Sequence, residues 1–264
     1  EEVENDMDNF RRQFIKFEKD FKSKDMNDEA DIAATAQEQC NDFLNDLHPL
    51  MALLCTRGLK KRHWDSINKL TGLFIPYAQN ANLKQMVNYG LHNHVEAITD
   101  TCINASKEFS LEQAMDKMEE EWAPMVFGSK AWKDTGTFIL TSVEEIEQIL
   151  DDQIVRTQAM RGSRFIKPFT ERITAWAKIL QNIEEVIGIW LKVQSTWLYL
   201  EPIFSSEDIR KQMPMEAKRF ATVDRTWRDI MQGLQEDSSC ISIGKKEGMI
   251  DRLEQASKLL DLIQ

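Results

Sequence analysis

Apolar positions recur along this chain at the spacing of helices. Val3, Met7, Phe10, Phe14, Phe17 and Phe21 follow one another at intervals of 4, 3, 4, 3 and 4, with charged residues between them. That is a heptad seam. It reads either as a coiled-coil-like arm that docks on a partner or as an amphipathic helix packing on its own neighbours. A second helix is expected from about Glu29, with Ile32, Ala36, Phe43, Leu47, Leu50 and Leu54 on its buried face. Pro49 has no amide hydrogen to donate, so it should kink or break that helix. Arg57-Gly58 reads as a corner. Leu59 to Thr71 reads as a short helix carrying Trp64, Ile67 and Leu70, and Leu83 to Phe109 as a further helical stretch with a possible break at Gly90. Ser110 with Gln113, and Ser142 with Glu145, have the spacing of capping boxes and predict helix starts.

Between those two boxes the pattern changes. MVFGSKAW (125–132) and TGTFILT (135–141) are rich in aromatic and β-branched residues, with Lys133 and Asp134 between them. This predicts one small β-hairpin, which must lie against helices to be stable. A helix from 143 to about Arg161 should follow, stopping at Gly162-Ser163. Next comes a long seam of Ile173, Trp176, Leu180, Ile183, Ile187, Trp190 and Trp197, about 36 Å of helix, interrupted only by the polar Gln194. Gly188 is a possible weak point in it, and Pro202 should end it. Pro214 should start a helix bearing Phe220, Val223, Trp227, Ile230 and Leu234. A last helix should carry Ile250, Leu253 and Leu260. The predicted fold class is therefore all-α: an elongated rod of successive antiparallel helical bundles with one hairpin at about 125–141.

Composition sharpens this picture. Ten glycines and six prolines in 264 residues are roughly half the usual shares of about 7% and 5%, too few for a many-turned sandwich or barrel. The net charge of −11 argues against nucleic acid or an anionic membrane as partner, since both select positive charge. No apolar run approaches the roughly 20 residues of a membrane span. The acidic start EEVEND is neither a signal peptide nor a presequence, and without an initiator Met it suggests a piece of a longer protein. Cys40, Cys55, Cys102 and Cys240 are scattered, with no metal or redox spacing, and disulfides are not expected.

Candidate chemistry is sparse. His92 and His94 would point to different faces of a helix and so would not share a metal, although in a loop they could; His63 beside Trp64 reads as structural. SIGKKEG (242–248) fails as a phosphate loop, because Ser239 stands where its first glycine belongs and Lys246 where its magnesium-binding hydroxyl belongs. Asp151-Asp152 and Glu119 to Glu121 read as solvated helix faces. No catalytic, cofactor-binding or metal-binding residue is assigned, and no enzyme activity is expected of this chain. The cluster Arg57, Lys60, Lys61 and Arg62 stands out, since residues 1–130 carry 15 basic and 23 acidic residues. It reads as a solvated helix start or as a docking patch for an acidic partner. Trp64, Trp176, Trp190 and Trp227 fall on apolar faces and are expected to be structural anchors at helix crossings.

Several segments together carry a resemblance: RHWDSINKLTG (62–72), KDTGTFIL (133–140), DDQIVRTQAMRGSRFIKPF (151–169), WLYLEPIFSSEDIRKQMPMEAKRF (197–220) and VDRTWRDIM (223–231). The chain resembles the linker region of dynein heavy chains, most of all the axonemal type. The match is good from about Arg57 onward and sharpest at LEPIFSSEDI. The resemblance implies that residues 1–56 are the end of the tail, with helices leading into the linker, and that 57–264 are the N-terminal half of the motor linker. It implies a non-catalytic mechanical lever of an ATP-driven microtubule motor, passing the power stroke of an AAA+ ring to the tail. The alternative is a tail-side scaffold for heavy-chain or axonemal subunit assembly. The implied partners are the chain's own ring and other dynein or axonemal subunits, with no nucleic acid and no membrane. ATP with magnesium would belong to the parent chain, none to this part. The implied location is cytoplasmic, in the axoneme of a cilium or flagellum.

Overall fold

A computed structural model describes residues 2–77 and 82–263. The architecture is helical, with one two-stranded antiparallel sheet among the described residues. The chain divides into two compact units, Glu1–Ser110 and Leu111–Gln264. This division does not coincide with the tail-to-linker boundary expected near 56.

In the first unit, helix α1 (Glu2–Lys22) turns at Asp25 (φ 58°) and packs against α2 (Asn27–Asp42). The heptad seam of α1 splits. Met7, Phe14 and Phe21 are half-buried, whereas Val3, Phe10 and Phe17, seven residues apart, are 44–49% exposed. The buried face of α2 also differs from expectation: Ala30, Ala33 and Cys40 are buried, and Ile32 is 71% exposed. The small alanines define the contact face because they let two helix backbones approach, which outweighs the larger apolar area of a single Ile at the wrong phase. Before Pro49 the helix widens into a π-turn, Phe43–Leu47, and α3 (His48–Leu54) starts afresh with the proline in its first turn. That turn needs no amide hydrogen from Pro49.

At the corner, Gly58 has φ +94°. A Cβ there would lie 2.5 Å from the Phe109 Cβ and 2.7 Å from the Ala105 carbonyl, so only glycine fits. Helix α4 (Lys61–Thr71) ends on a left-handed Gly72. Beyond it the chain is extended, and the Asn68 side-chain amide pairs with Ile75 like a peptide group: Nδ2 donates to the Ile75 carbonyl (2.8 Å), and Oδ1 accepts from its N–H (3.0 Å). Asn82 and Gln85 form a reciprocal capping box at the start of α5 (Leu83–Asn88). A 3₁₀ turn, Leu91–His94, leads into α6 (Val95–Trp122). Leu50, Trp64, Ile67, Ile75, Met86, Leu91 and Ile98 make the core.

Two expected helix starts are corrected. Helix α6 runs unbroken through Ser110, whose hydroxyl donates back to the Ser106 carbonyl (3.0 Å). A hydroxyl on a helical backbone, turned back toward the preceding turn, does not reach the N–H groups ahead and so does not cap. Ser142 lies in the left-handed region (φ 55°), and α7 (Glu144–Arg161) begins two residues later with no side-chain cap. Glu144, Glu145 and Glu147 instead place negative charge at its first turn, where it complements the helix dipole.

The second unit is built on α8 (Thr170–Phe204), 35 residues long and about 52 Å at 1.5 Å per residue. It passes through Gly188 without interruption. It also continues past Pro202 by two residues, because a proline in the last turn forfeits only one main-chain bond; the Ser205 hydroxyl donates to the Pro202 carbonyl (2.8 Å). Around it pack α7, the hairpin β1 (Gly128–Ala131) and β2 (Phe138–Thr141), α9 (Glu207–Gln212), α10 (Pro214–Glu236), α11 (Cys240–Lys245) and α12 (Met249–Asp261). The hairpin register runs from Gly128 opposite Thr141 to Ala131 opposite Phe138, with Lys133 (φ 46°) and Gly136 (φ 70°) shaping the turn. All four cysteines are free thiols. No helix among the described residues is long and apolar enough to cross a membrane.

Candidate functional site

The expected anchors Trp176, Trp190 and Trp227 lie in one continuous core in the second unit, and Trp64 in the core of the first. Trp190 has no exposed surface and sits 5.6 Å from the Phe127 ring at the entrance to β1. Trp227 of α10 stacks on Trp197 of α8, with centroids 5.5 Å apart and planes 20° off parallel. Trp176 meets Trp122 edge-on at 6.5 Å, and one further pair, Phe204 on Phe220, closes the far end of α8 at 5.1 Å. The four ring pairs join α8 to α6, to the run leading into β1 and, twice, to α10. Stacked or edge-on aromatic contacts add about 0.5–1.5 kcal/mol beyond the area they bury. The indole N–H groups of Trp176, Trp190 and Trp227 are buried without a partner, so these rings act as apolar plugs.

Polar groups fix what the plugs fill. Gln194, the one interruption of the apolar seam, points its amide at β2. Its Oε1 accepts from the Leu140 N–H (2.7 Å) and its Nε2 donates to the Leu140 carbonyl (3.3 Å). The side chain thus occupies the place of a neighbouring strand. A second chain of bonds ties α8, α10 and the hairpin turn together. Trp197 Nε1 donates to Asp224 (3.1 Å), Arg228 Nε donates to the other Asp224 oxygen (2.8 Å), and Arg228 Nη1 donates to the Thr135 carbonyl (2.7 Å). Nearer the start of α8, Gly244 of α11 lets two helix backbones touch. A Cβ there would lie 2.7 Å from Ile183 and 3.0 Å from the Ile179 carbonyl, and Asn182 donates to the Gly244 carbonyl (2.8 Å). Arg172 spans from α8 to Glu119 (2.9 Å) and Asp116 (2.8 Å) of α6, and the Glu119 bond above all holds it protonated.

The basic cluster resolves differently from a uniform patch. Arg57 and Lys61 are exposed, while Arg62 and Lys60 are half-buried. Arg62 is bound to Glu108 through both Nε and Nη2, and Lys61 lies 3.7 Å from Asp65. His63, 5% exposed, accepts from the Lys60 N–H at Nδ1 (3.0 Å) and faces Glu108 at 3.0 Å through Nε2. The first bond requires a bare Nδ1, so the proton sits on Nε2 and is donated to the carboxylate. Half of the cluster therefore builds the α4–α6 joint. Trp64, 8% exposed, packs below it. His92 and His94 both lie in the 3₁₀ turn, and no group of three or more His, Cys, Asp or Glu among the described residues could hold a metal ion.

Sequence reasoning missed Gln194, Asp224, Arg228, Glu108 and Gly244. The first had a visible signal, a polar residue at a seam position. Asp224 and Arg228 had the weaker one of an i, i+4 ion pair. Glu108 and Gly244 act across distant segments and had none.

Comparison with known proteins gives the context for this scaffold. Residues 1–264 match the family described as dynein heavy chain, N-terminal region 2. Axonemal dynein heavy chain 1 of Rattus norvegicus is 39% identical over 234 residues, covering 89% of this chain and 5% of the relative. Axonemal heavy chain 12 of Homo sapiens is 39% identical over 265 residues, 100% of this chain and 9% of the relative. Axonemal heavy chain 3 of Mus musculus is 40% identical over 216 residues, 82% and 5% respectively. The chain thus spans less than a tenth of the length of these relatives. With the family description matched from its first residue to its last, this chain belongs to the dynein heavy chains, in their N-terminal region 2.

Proposed function

We propose that this chain is the N-terminal half of a motor linker, preceded in residues 1–56 by the end of the tail, in a heavy chain of axonemal type. In this reading it is a lever without catalytic residues. It passes the stroke of an AAA+ ring, which binds ATP with magnesium elsewhere in the parent chain, to the tail within a cilium or flagellum. One observation carries the reading: the family match over residues 1–264 puts the chain in the N-terminal region of a dynein heavy chain. The packing around α8 supports it. A lever must resist bending, and interiors packed like organic crystals are stiff. Helix α8 is gripped along its length by ring pairs, by Gln194 and by the close approach at Gly244.

The alternative, a tail-side scaffold docking through residues 57–62, has less support, because Arg62 and Lys61 already have acidic partners. The test uses the parent heavy chain. Trp190→Ala with Trp227→Ala should slow microtubule gliding severalfold while ATP turnover persists, since force would be lost in a softened lever. Unchanged gliding by a folded double variant would refute the lever role. Normal motility with failed assembly of the arm would favour the scaffold.

A further inference from the structure

The turn between α7 and α8 carries a feature that the lever reading does not use. From residue 153 to residue 170 there is no acidic side chain, yet there are four basic ones, Arg156, Arg161, Arg164 and Lys167, in a chain of net charge −11. Arg156 is held by Asp152 at 2.8 Å. Arg161, Arg164 and Lys167 are exposed, and among the described residues none of them has an ion pair. The acids beneath the turn do not neutralise it, because Asp116 and Glu119 are engaged by Arg172.

The turn is also built to hold its shape. Phe165 N–H donates to the Ser163 hydroxyl (3.3 Å), Ile166 N–H to the Ser163 carbonyl (3.2 Å), and Phe169 N–H to the Ile166 carbonyl (2.8 Å). A 3₁₀ turn, Lys167–Phe169, carries Pro168, and Thr170 closes it by donating to the Lys167 carbonyl (3.0 Å). Phe169 is buried with Ile173 and Met115, and Met160 and Ile166 pack on them. Above this pin the Arg164 guanidinium lies 4.6 Å over the Phe165 ring. A guanidinium already held over an aromatic ring loses little freedom when its N–H edge meets a carboxylate.

We propose that this turn is a docking surface for an acidic protein segment, with Arg164 as its central fork and Arg161 and Lys167 flanking it. Charge complementarity selects this occupant. A nucleic acid would bring an extended line of phosphates, which three cations confined to one short turn cannot follow. A membrane would need apolar anchors, and here Ile166 and Phe169 point into the protein. The surface is independent of the lever reading, and either can fail without the other.

The test is binding of a fluorescein-labelled deca-glutamate peptide to the full chain, followed by anisotropy at 50 and 200 mM salt. Arg161→Glu/Arg164→Glu/Lys167→Glu should weaken binding at least tenfold, whereas Arg57→Glu/Lys61→Glu should change it less than twofold. Arg164→Lys, which keeps the charge and loses the stacked fork, should weaken it a few-fold. Circular dichroism melts would confirm that each variant folds. The proposal is overturned if wild type does not bind, if both reversals weaken binding equally, or if oligo-uridylate or phosphatidylserine vesicles bind more tightly than the peptide.

Discussion

Replacing Gln194 with leucine removes an amide of similar length and leaves the helix intact. The Leu140 N–H and carbonyl, which point outward from the hairpin, then face an apolar side chain. Leu140 is 4% exposed, so water cannot substitute for the lost bonds. A buried peptide group left unpaired costs about 1–3 kcal/mol, and two are orphaned here. Against this, leucine gains a methylene or so of buried surface at a half-buried position, about 1 kcal/mol. The expected net loss is about 1–5 kcal/mol in the second unit. Urea unfolding followed by tryptophan fluorescence reads that unit, because Trp122, Trp132, Trp176, Trp190, Trp197 and Trp227 lie in it and only Trp64 lies outside it. Hydrogen exchange at the Leu140 amide should accelerate at the same time, well beyond the change at other core amides. A midpoint within about 0.5 kcal/mol of wild type, with Leu140 exchange unaltered, would show that the amide bridge contributes nothing; that figure is the scale of an ordinary surface substitution.

Three further outcomes follow from the packing. Gly188 lies exposed in the middle of α8 with open space where a Cβ would go, so Gly188→Ala should raise stability by about 0.5–1 kcal/mol; Gly244→Ala, whose Cβ would press on Ile183 and the Ile179 carbonyl, should lower it. Denaturation midpoints of the two variants moving in the same direction would contradict this. Trp190→Ala and Trp227→Ala should each cost about 3–5 kcal/mol; calorimetry finding both within error of wild type would remove them as anchors. Burial pushes the Cys240 thiol up to about 12 and Cys102 to about 11, from an ordinary 9.0. Their stabilising effect is therefore complete below pH 9 and declines as pH rises toward 11 and 12, since only the unfolded chain ionises easily there. At pH 8 a thiol reagent should label exposed Cys55 in the folded protein and reach Cys102 and Cys240 only after unfolding; prompt labelling of all three would refute the burial argument.

The hairpin and the order of helices were legible in the sequence because both rest on local periodicity. The strands sit inside the stretch expected for them, and the α8 seam places Ile173 to Trp197 inward except at the expected polar position. What failed was phase and termination. Ile32 is the large apolar residue of its turn, but the approach of α1 to α2 rewards small ones. Ser110 and Ser142 had capping spacing, yet a cap also needs an extended backbone at the serine, which helical Ser110 and left-handed Ser142 both lack. The split of the α1 seam depends on what packs beside it. The basic cluster looked uniform in sequence because Glu108, which claims Arg62 and His63, lies about 45 residues away.

A lone hairpin would ordinarily present a row of idle amides and carbonyls along its rim, a template on which a second polypeptide can zip. Here the glutamine of α8 closes that rim at Leu140, and the run leading into β1 is tied down by Phe127 N–H on the Ser238 carbonyl and Cys240 N–H on the Met125 carbonyl. Such closure keeps two copies of the chain from joining strand to strand along the hairpin.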